Sequence, residues 1–354
     1  MTRQNGMTLI ELLVALSVFL ILGSSLVMFL RIGIDTWRVG EMRRETFERG
    51  QSILDQIEDD LRSVYPDSYH GDAGEVDVLL LSDYDLSGRQ RLRFVRSLAG
   101  ETRHPITRRA GSLTGGFADY DFENDANESR AGLLRAPGGL QEVVYLSDPN
   151  REVELLWRGV RSPIGGERSL LLEENVYPEE GGVRHCRPFA DGILYLEYNF
   201  WGTNTTSWTG EGGAHSGWDS TRGILPDEPT FAGIGSRHDP RDDVFPSRVQ
   251  VVLVLRPARV SRFGRVRSFV DEDDDVIQLD NTQHYPEAAF PYVRIGSEWI
   301  RYETIRGRSL IGCTRGVRGT EPAEHPIGEV AVYGTSFSRV IRVPAARDSY
   351  WEDR

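Results

Sequence analysis

The chain has 354 residues, 39% of them hydrophobic and 27% charged, with a formal charge of −13. So acidic a surface argues against binding a phosphate backbone and hence against nucleic acid as a partner. All 41 basic residues are arginine, which removes the P-loop lysine of nucleotide sites and the Schiff-base lysine of pyridoxal or aldolase chemistry. The length suits an N-terminal helix, one large β-rich head and a small inserted module.

From Met7 to Leu30 the residues are apolar or small except for one carboxylate, Glu11. A run of about twenty such residues spans a bilayer as a helix. A secretory signal peptide would have a shorter apolar core followed by a small-residue cleavage site. A carboxylate inside an apolar helix costs several kcal/mol in hydrocarbon unless it is paired, so Glu11 reads as a functional site that needs a partner. The plain alternative is a carboxylate hydrated at the membrane interface. After Arg31 the apolar positions Trp37, Met42, Phe47, Ile53, Leu54, Ile57, Leu61 and Val64 recur close to the three-and-four spacing of an amphipathic helix. Pro66 sets its end, because the residue before proline avoids helical geometry. The expectation is one helix over 7–65, about sixty residues and roughly 90 Å long.

Past Pro66 the pattern turns to short alternating runs. Val76–Leu81, Arg91–Val95, Glu142–Leu146, Val153–Trp157, Gly192–Tyr198 and Val249–Leu255 read as strands. Between them lie long loops rich in Gly, Asp and Asn at 100–139 and 202–245, either functional or disordered. Phe337–Val343 reads as a strand that pairs with Val249–Leu255 as a closing hairpin. Residues 264–336 interrupt that hairpin with alternating Ile, Val, Trp and Tyr and turn glycines.

The N-terminal residues carry a resemblance. Gly6, then Met7-Thr-Leu-Ile-Glu11-Leu-Leu-Val-Ala-Leu, resembles the prepilin cleavage and methylation motif of type IV pilins and pseudopilins. The resemblance implies a leader over 1–6, cleavage between Gly6 and Met7 by a prepilin peptidase, N-methylation of Met7, and assembly through Glu11, which attracts a neighbour's N-terminal amine. Methionine stands at Met7 where the family more often has phenylalanine. The rest of the chain resembles more diffusely the J-type minor pseudopilin of type II secretion. The residues concerned are Asp60-Leu61-Arg62 at a helix end, a Val-Tyr-Leu strand, a strand ending in Trp157-Arg158, Phe189–Tyr198, a loop marked by Trp201, Trp208 and Trp218, and Pro246-Ser-Arg-Val before the last long strand.

The resemblance implies an α+β fold, a long hydrophobic helix packed on an antiparallel head over 66–263 with a closing strand and tail over 337–354. It implies a structural subunit rather than an enzyme, without a cofactor, held in the bacterial inner membrane with its head in the periplasm. Its partners would be the other minor pseudopilins and the major pseudopilin. A minor pilin of a type IV pilus is the near alternative. A membrane-anchored periplasmic glycan-binding protein using Trp201, Trp208 and Trp218 is the alternative of another class. Segment 264–336 is similar to a small β module of phage-tail-like and secreted proteins, marked by Val293–Tyr302, Leu310–Thr320, His325 and Gly328; a contact surface is the expected role.

Other chemistry finds little footing. Asp271–Asp275 with Asp280 offers hard oxygen ligands for calcium, but Val276 stands where an EF-hand needs glycine and Thr282 where it needs glutamate. His238 with Asp242 and Asp243, and His215, lack paired metal-ligand spacing, and His325 reads as a structural hydrogen-bonding residue. No nucleophile elbow appears; Gly334-Thr-Ser336-Phe-Ser338 lacks the second glycine, and Gly233-Ile-Gly235 lacks the third of a dinucleotide loop. Cys186 and Cys313 are expected as two unpaired thiols.

Overall fold

The structure is a computed structural model that describes residues 9–65, 80–85, 88–98, 139–148, 150, 153–162, 164–165, 169–172, 175–176, 186–202, 208–209, 217–220, 245–257, 263–287 and 291–343. It has the α+β architecture: one long helix, α1 (Leu9–Arg62), followed by antiparallel sheets. The helix is 54 residues long, roughly 80 Å. It stops at Arg62, before Pro66, because the chain is captured by a strand edge. Val64 bridges Arg96, and the Tyr65 amide donates to the Val95 carbonyl at 2.9 Å.

The head has two sheets. In the first, β1 (Leu80–Tyr84), β2 (Gln90–Leu98), β3 (Gly139–Ser147), β4 (Leu155–Arg161), β5 (Cys186–Asp191) and β7 (Trp218–Asp219) run in the order β5-β4-β3-β2-β1-β7. The second joins β6 (Ile193–Trp201), β8 (Arg248–Leu255) and β17 (Thr335–Arg342) in the order β17-β8-β6. The expected closing hairpin is present, with eight consecutive pairs from Thr335↔Leu255 to Arg342↔Arg248. Two expected strands run further than the sequence suggests. The first, described from Leu80, continues past Leu81 to Tyr84, because β1 and β2 form a hairpin closed by the Asp85 side chain and Gly88 at φ 72°. Trp157-Arg158 does not end its strand but lies within β4, which continues to Arg161 by pairing with β3 as far as Glu142. Residues 66–79, 99–138 and 221–244, which hold most of the run from Val76 and of the two long loops, lie outside the described residues.

One core unites helix and head. Ile53, Leu54, Ile57, Leu61 and Val64 of α1 pack with Leu80, Leu92, Phe94, Val143 and Tyr145 of the first sheet. They also meet Leu196, Tyr198, Phe200, Val249, Val251 and Leu253 of the second. Strand alternation places the even-numbered β8 residues Val252 and Val254 on the opposite face. The Gln90 side chain ties the two sheets by standing in for a strand. Its amide nitrogen donates to the Tyr198 carbonyl at 2.9 Å, and its oxygen accepts from the Tyr198 amide at 2.7 Å. On the outer face of the first sheet, buried Glu142 accepts from the Gly165 and Leu170 amides and from the Ser169 hydroxyl at 2.6–2.7 Å. This holds Leu170 and Val176 over Val144 and Leu146.

Between β8 and β17, the short strands β9 (Gly264–Arg265), β10 (Val276–Gln278), β11 (Tyr292–Ile295), β12 (Glu298–Arg301), β13 (Thr304–Arg306), β14 (Ser309–Ile311), β15 (Thr314–Val317) and β16 (Val330–Val332) form two further sheets. Their orders are β15-β12-β11-β16-β9 and β10-β14-β13. They enclose a second core of Val266, Ile277, Val293, Ile295, Ile300, Tyr302 and Leu310. Trp299 and Val332 cover Leu194 and Val254 on the outer face of the second head sheet. The Arg318 guanidinium lies 4.2 Å from the Tyr195 ring centre, 4.0 Å from Tyr292 and 4.6 Å from Trp299. Glu154 takes Arg256 from the head at 2.6 Å and Arg294 from the inserted strands at 2.5 Å.

Buried Glu298 organises the turns of this module. It accepts from Arg315 at 2.7 and 2.8 Å, from the Gly316 amide at 2.9 Å and from the Ala323 amide at 3.1 Å. His325 bridges it at 2.7 Å to Glu329 at 3.0 Å, the structural role expected for that ring. Burial works against the charge of Glu298, but the contacts from His325, Arg315 and Gly316 outweigh it and hold the carboxyl at about 2, against an ordinary 4.5. A folded value below the unfolded one stabilises above pH 4.5 and is lost as pH falls through about 2. Thermal melts from pH 5 to 2 should show that loss, on the order of 3 kcal/mol. Glu298→Gln should flatten the profile while starting from a lower melting temperature; a profile identical to the parent would remove Glu298 from this role.

Candidate membrane and assembly site

The residues named for assembly divide into two groups. Gly6 and Met7 lie outside the described residues, and Glu11 lies within the first turn of α1. From Leu9 to Ile34 the helix projects clear of the head. Leu9, Ile10, Leu13, Phe19, Ile21, Leu22, Met28 and Phe29 are all exposed. The helix is long and apolar enough to cross a membrane, and none of its most apolar window is covered by the rest of the chain. Polar hydroxyls in this stretch are satisfied locally. Ser17 donates to the Val14 carbonyl at 2.8 Å, and Ser24 and Ser25 to Ile21 at 2.9 Å. Hydrocarbon supplies no partner for an N–H or O–H, so a spanning helix must satisfy its own polar groups in this way.

The second half of α1 couples that segment to the head through one fully buried carboxylate. Asp60 accepts from the Tyr145 hydroxyl at 2.5 Å, from Arg158 at 2.9 and 3.1 Å, from Gln56 at 3.1 Å, and from Arg96. Three neighbouring strands therefore converge on one helical residue. The Tyr145 hydroxyl is pushed well above its ordinary range, first by burial and then by the charge of Asp60, so it stays a donor. Further down, Arg339 of β17 reaches Glu58 at 2.8 Å and Asp55 at 2.5 Å, and Arg49 reaches Asp191 at 2.5 Å. Gly50 lets the Phe337 ring lie against the helix backbone; a Cβ there would fall 2.5 Å from the ring.

Sequence reasoning quoted Asp60 and Arg158 only as separate marks of a resemblance. The structure joins them. The signal lay in the spacing, since Asp60 falls on the same helical stripe as Ile53, Ile57 and Leu61, where a carboxylate must find partners. The other candidate chemistry disperses. Among the described residues no group of three or more His, Cys, Asp or Glu side chains could hold a metal ion. The 271–275 run folds into a turn of its own, with the Asp271 amide donating to Asp274 and the Glu272 amide to Asp271, both at 2.8 Å. His215, His238, Asp242 and Asp243 lie outside the described residues. Trp218 is buried against Phe200 at 5.7 Å, while Trp201 and Trp208 meet edge to face at 5.3 Å. The three tryptophans therefore do not share one surface. Cys186 and Cys313 are free and buried in separate clusters, each thiol pushed up to about 12 by burial.

The model of the prokaryotic N-terminal methylation motif matches residues 1–27. No curated protein matches the chain. The match falls on the apolar start of α1, and with the helix-plus-antiparallel-sheet architecture it supports a type IV pilin-like protein.

Two outcomes follow from this geometry. Asp60→Ala leaves Arg96 and Arg158 without their carboxylate; because both guanidiniums keep some solvent contact, the loss should sit near the lower end of the range for broken buried pairs, about 3 kcal/mol by urea denaturation. A chain starting at Arg31 should need no detergent. It should melt within about 0.5 kcal/mol of the full chain, since the segment it lacks touches nothing in the head. A large loss of head stability on that truncation would contradict the described independence of the projecting half.

Proposed function

We propose that the chain is a minor pseudopilin of type II secretion, a structural subunit that initiates or tips a short periplasmic pseudopilus. The observation that carries the reading is the methylation motif at the start of a helix that runs unbroken from an uncovered apolar half into the core of the head. A plain anchor does not need that continuity. A filament subunit does, because the same helix must pack laterally against its neighbours and carry the head in a fixed orientation. In this reading the peptidase cuts after Gly6, Met7 is methylated, and its amine neutralises Glu11 of an adjacent subunit. That pairing removes the cost of a carboxylate in hydrocarbon. Other minor pseudopilins and the major pseudopilin are the partners, the inner membrane holds the subunit before assembly, and the head lies in the periplasm.

The type II assignment rests on Asp60, Trp157-Arg158 and Phe189–Tyr198. Two of these marks meet in the ion cluster that sets the helix on the head. A minor pilin of a type IV pilus shares the N-terminal motif. Neighbouring genes for a secretin and a secretion ATPase, as against pilus retraction components, separate the two.

The test is the intact mass and N-terminal sequence of the membrane-extracted protein, from cells with and without the prepilin peptidase. A chain beginning at N-methylated Met7 only where the peptidase is active is the expected result; an uncut chain in peptidase-positive cells would overturn the reading. In the same cells Glu11→Leu should remain in the membrane and fail to co-purify with the other subunits.

A further inference from the structure

Between the apolar run and the head lies a stretch of α1 that neither the methylation motif nor the core uses. The apolar surface continues past Arg31 along one side as Leu30, Ile34 and Trp37, which share a stripe at i, i+4 and i+7. Trp37 is 71% exposed and Ile34 49%. Arg31 and Arg38, two turns apart, lie on an adjoining stripe together with Asp35; both arginines are exposed, and neither has an ion pair among the described residues. Arg44, by contrast, is engaged within the helix by Glu41 and Glu48, each at 3.3 Å. Among the side chains described there, the first fully covered one above Trp37 is that of Thr46, about 13 Å further on at 1.5 Å per residue.

The spacing fits a bilayer at two levels. Leu9 to Leu30 covers roughly 32 Å, close to the hydrocarbon thickness of about 30 Å. With Leu9 at one edge of the hydrocarbon, Trp37 lies roughly 42 Å along the helix axis, and a tilt of about 30°, within the range of spanning helices, brings it to about 36 Å, in the far headgroup layer. Tryptophan is the side chain that settles at that level, one edge in hydrocarbon and its N–H in the wet layer. Arginine stems reach along the same layer and leave the guanidinium at the phosphates. The local charge agrees. Up to Thr46, Arg31, Arg38, Arg43 and Arg44 stand against Asp35, Glu41 and Glu45, a net +1, whereas the whole chain carries −13. A net positive neck offsets the repulsion between an acidic head and an anionic lipid surface.

We propose that Trp37 with Arg31 and Arg38 forms a headgroup collar. It docks on phospholipid phosphates of the leaflet facing the head and fixes how far α1 is immersed before the subunit leaves the membrane. The proposal rests on the membrane-anchored reading of α1 and adds its lipid partner and its depth. The chain's seven tryptophans make Trp37 separable by difference from Trp37→Phe.

The experiment places the full chain in phosphatidylglycerol vesicles whose acyl chains are brominated either near the headgroup or near the chain end, and follows tryptophan emission. The expected Trp37 component is blue-shifted, and it is quenched more by the shallow bromines than by the deep ones. Arg31→Gln/Arg38→Gln should still float with the vesicles but lose the shallow quenching as Trp37 moves outward. A Trp37 component that is red and unquenched in a chain that co-floats would overturn the collar while leaving the anchor intact. Quenching unchanged in the double variant would overturn the role of the guanidiniums. Failure of the unmodified chain to co-float would overturn the anchor reading itself and the collar with it.

Discussion

The Asp60 carboxylate sits on the helical stripe that Ile57 and Leu61 bury, where no water can solvate it. An unpaired charge in that position would cost several kcal/mol, so the helix can settle on the head only where guanidinium and hydroxyl groups reach this one residue. Arg96 from β2, Tyr145 from β3 and Arg158 from β4 do so. Apolar packing alone would tolerate sliding by a turn or a small rotation about the helix axis. The ion cluster tolerates neither. It therefore sets the height and rotation at which the projecting half of α1 leaves the head.

The second head sheet is built to accept an insertion without disturbing that arrangement. The β8–β17 pairing runs through eight positions with no irregularity, so the chain between the two strands can leave and return at the same end. What returns is docked. Trp299 and Val332 cover Leu194 and Val254, Arg318 fills the gap between three aromatic rings, and Glu154 is shared by arginines from both sides. Arg318 takes a left-handed backbone, φ 58°, an uncommon geometry for a non-glycine residue, and the surrounding rings hold it there.

The absence of lysine gives the polar interior a common character. Asp60, Asp83, Glu142, Glu154 and Glu298 each meet arginine. The planar guanidinium answers two carboxylate oxygens at once, as Arg91 does to Asp83 at 2.5 and 2.7 Å and Arg315 to Glu298. Such pairs specify orientation as well as attraction. In a β-rich head with long connections, orientation is what apolar strands by themselves leave open.

The sequence by itself determined the elements whose signal is local. A long apolar run, the three-and-four spacing of Leu54, Ile57, Leu61 and Val64, and the alternation of Val249–Leu255 each follow from chain periodicity, and helix, strand and closing hairpin were legible from them. The N-terminal motif was legible for the same reason, being contiguous. Only the tertiary structure decided what depends on residues far apart in the chain. It ended α1 at Arg62, where Tyr65 met the Val95 carbonyl, instead of at the proline. It carried the first strand on to Tyr84, where β2 pairs with it. It brought Asp60 to Arg158 across 98 residues, and Arg294 to Glu154 across 140. Spacing along a chain carries no record of such meetings, because a buried charge constrains only the partner that folding places beside it.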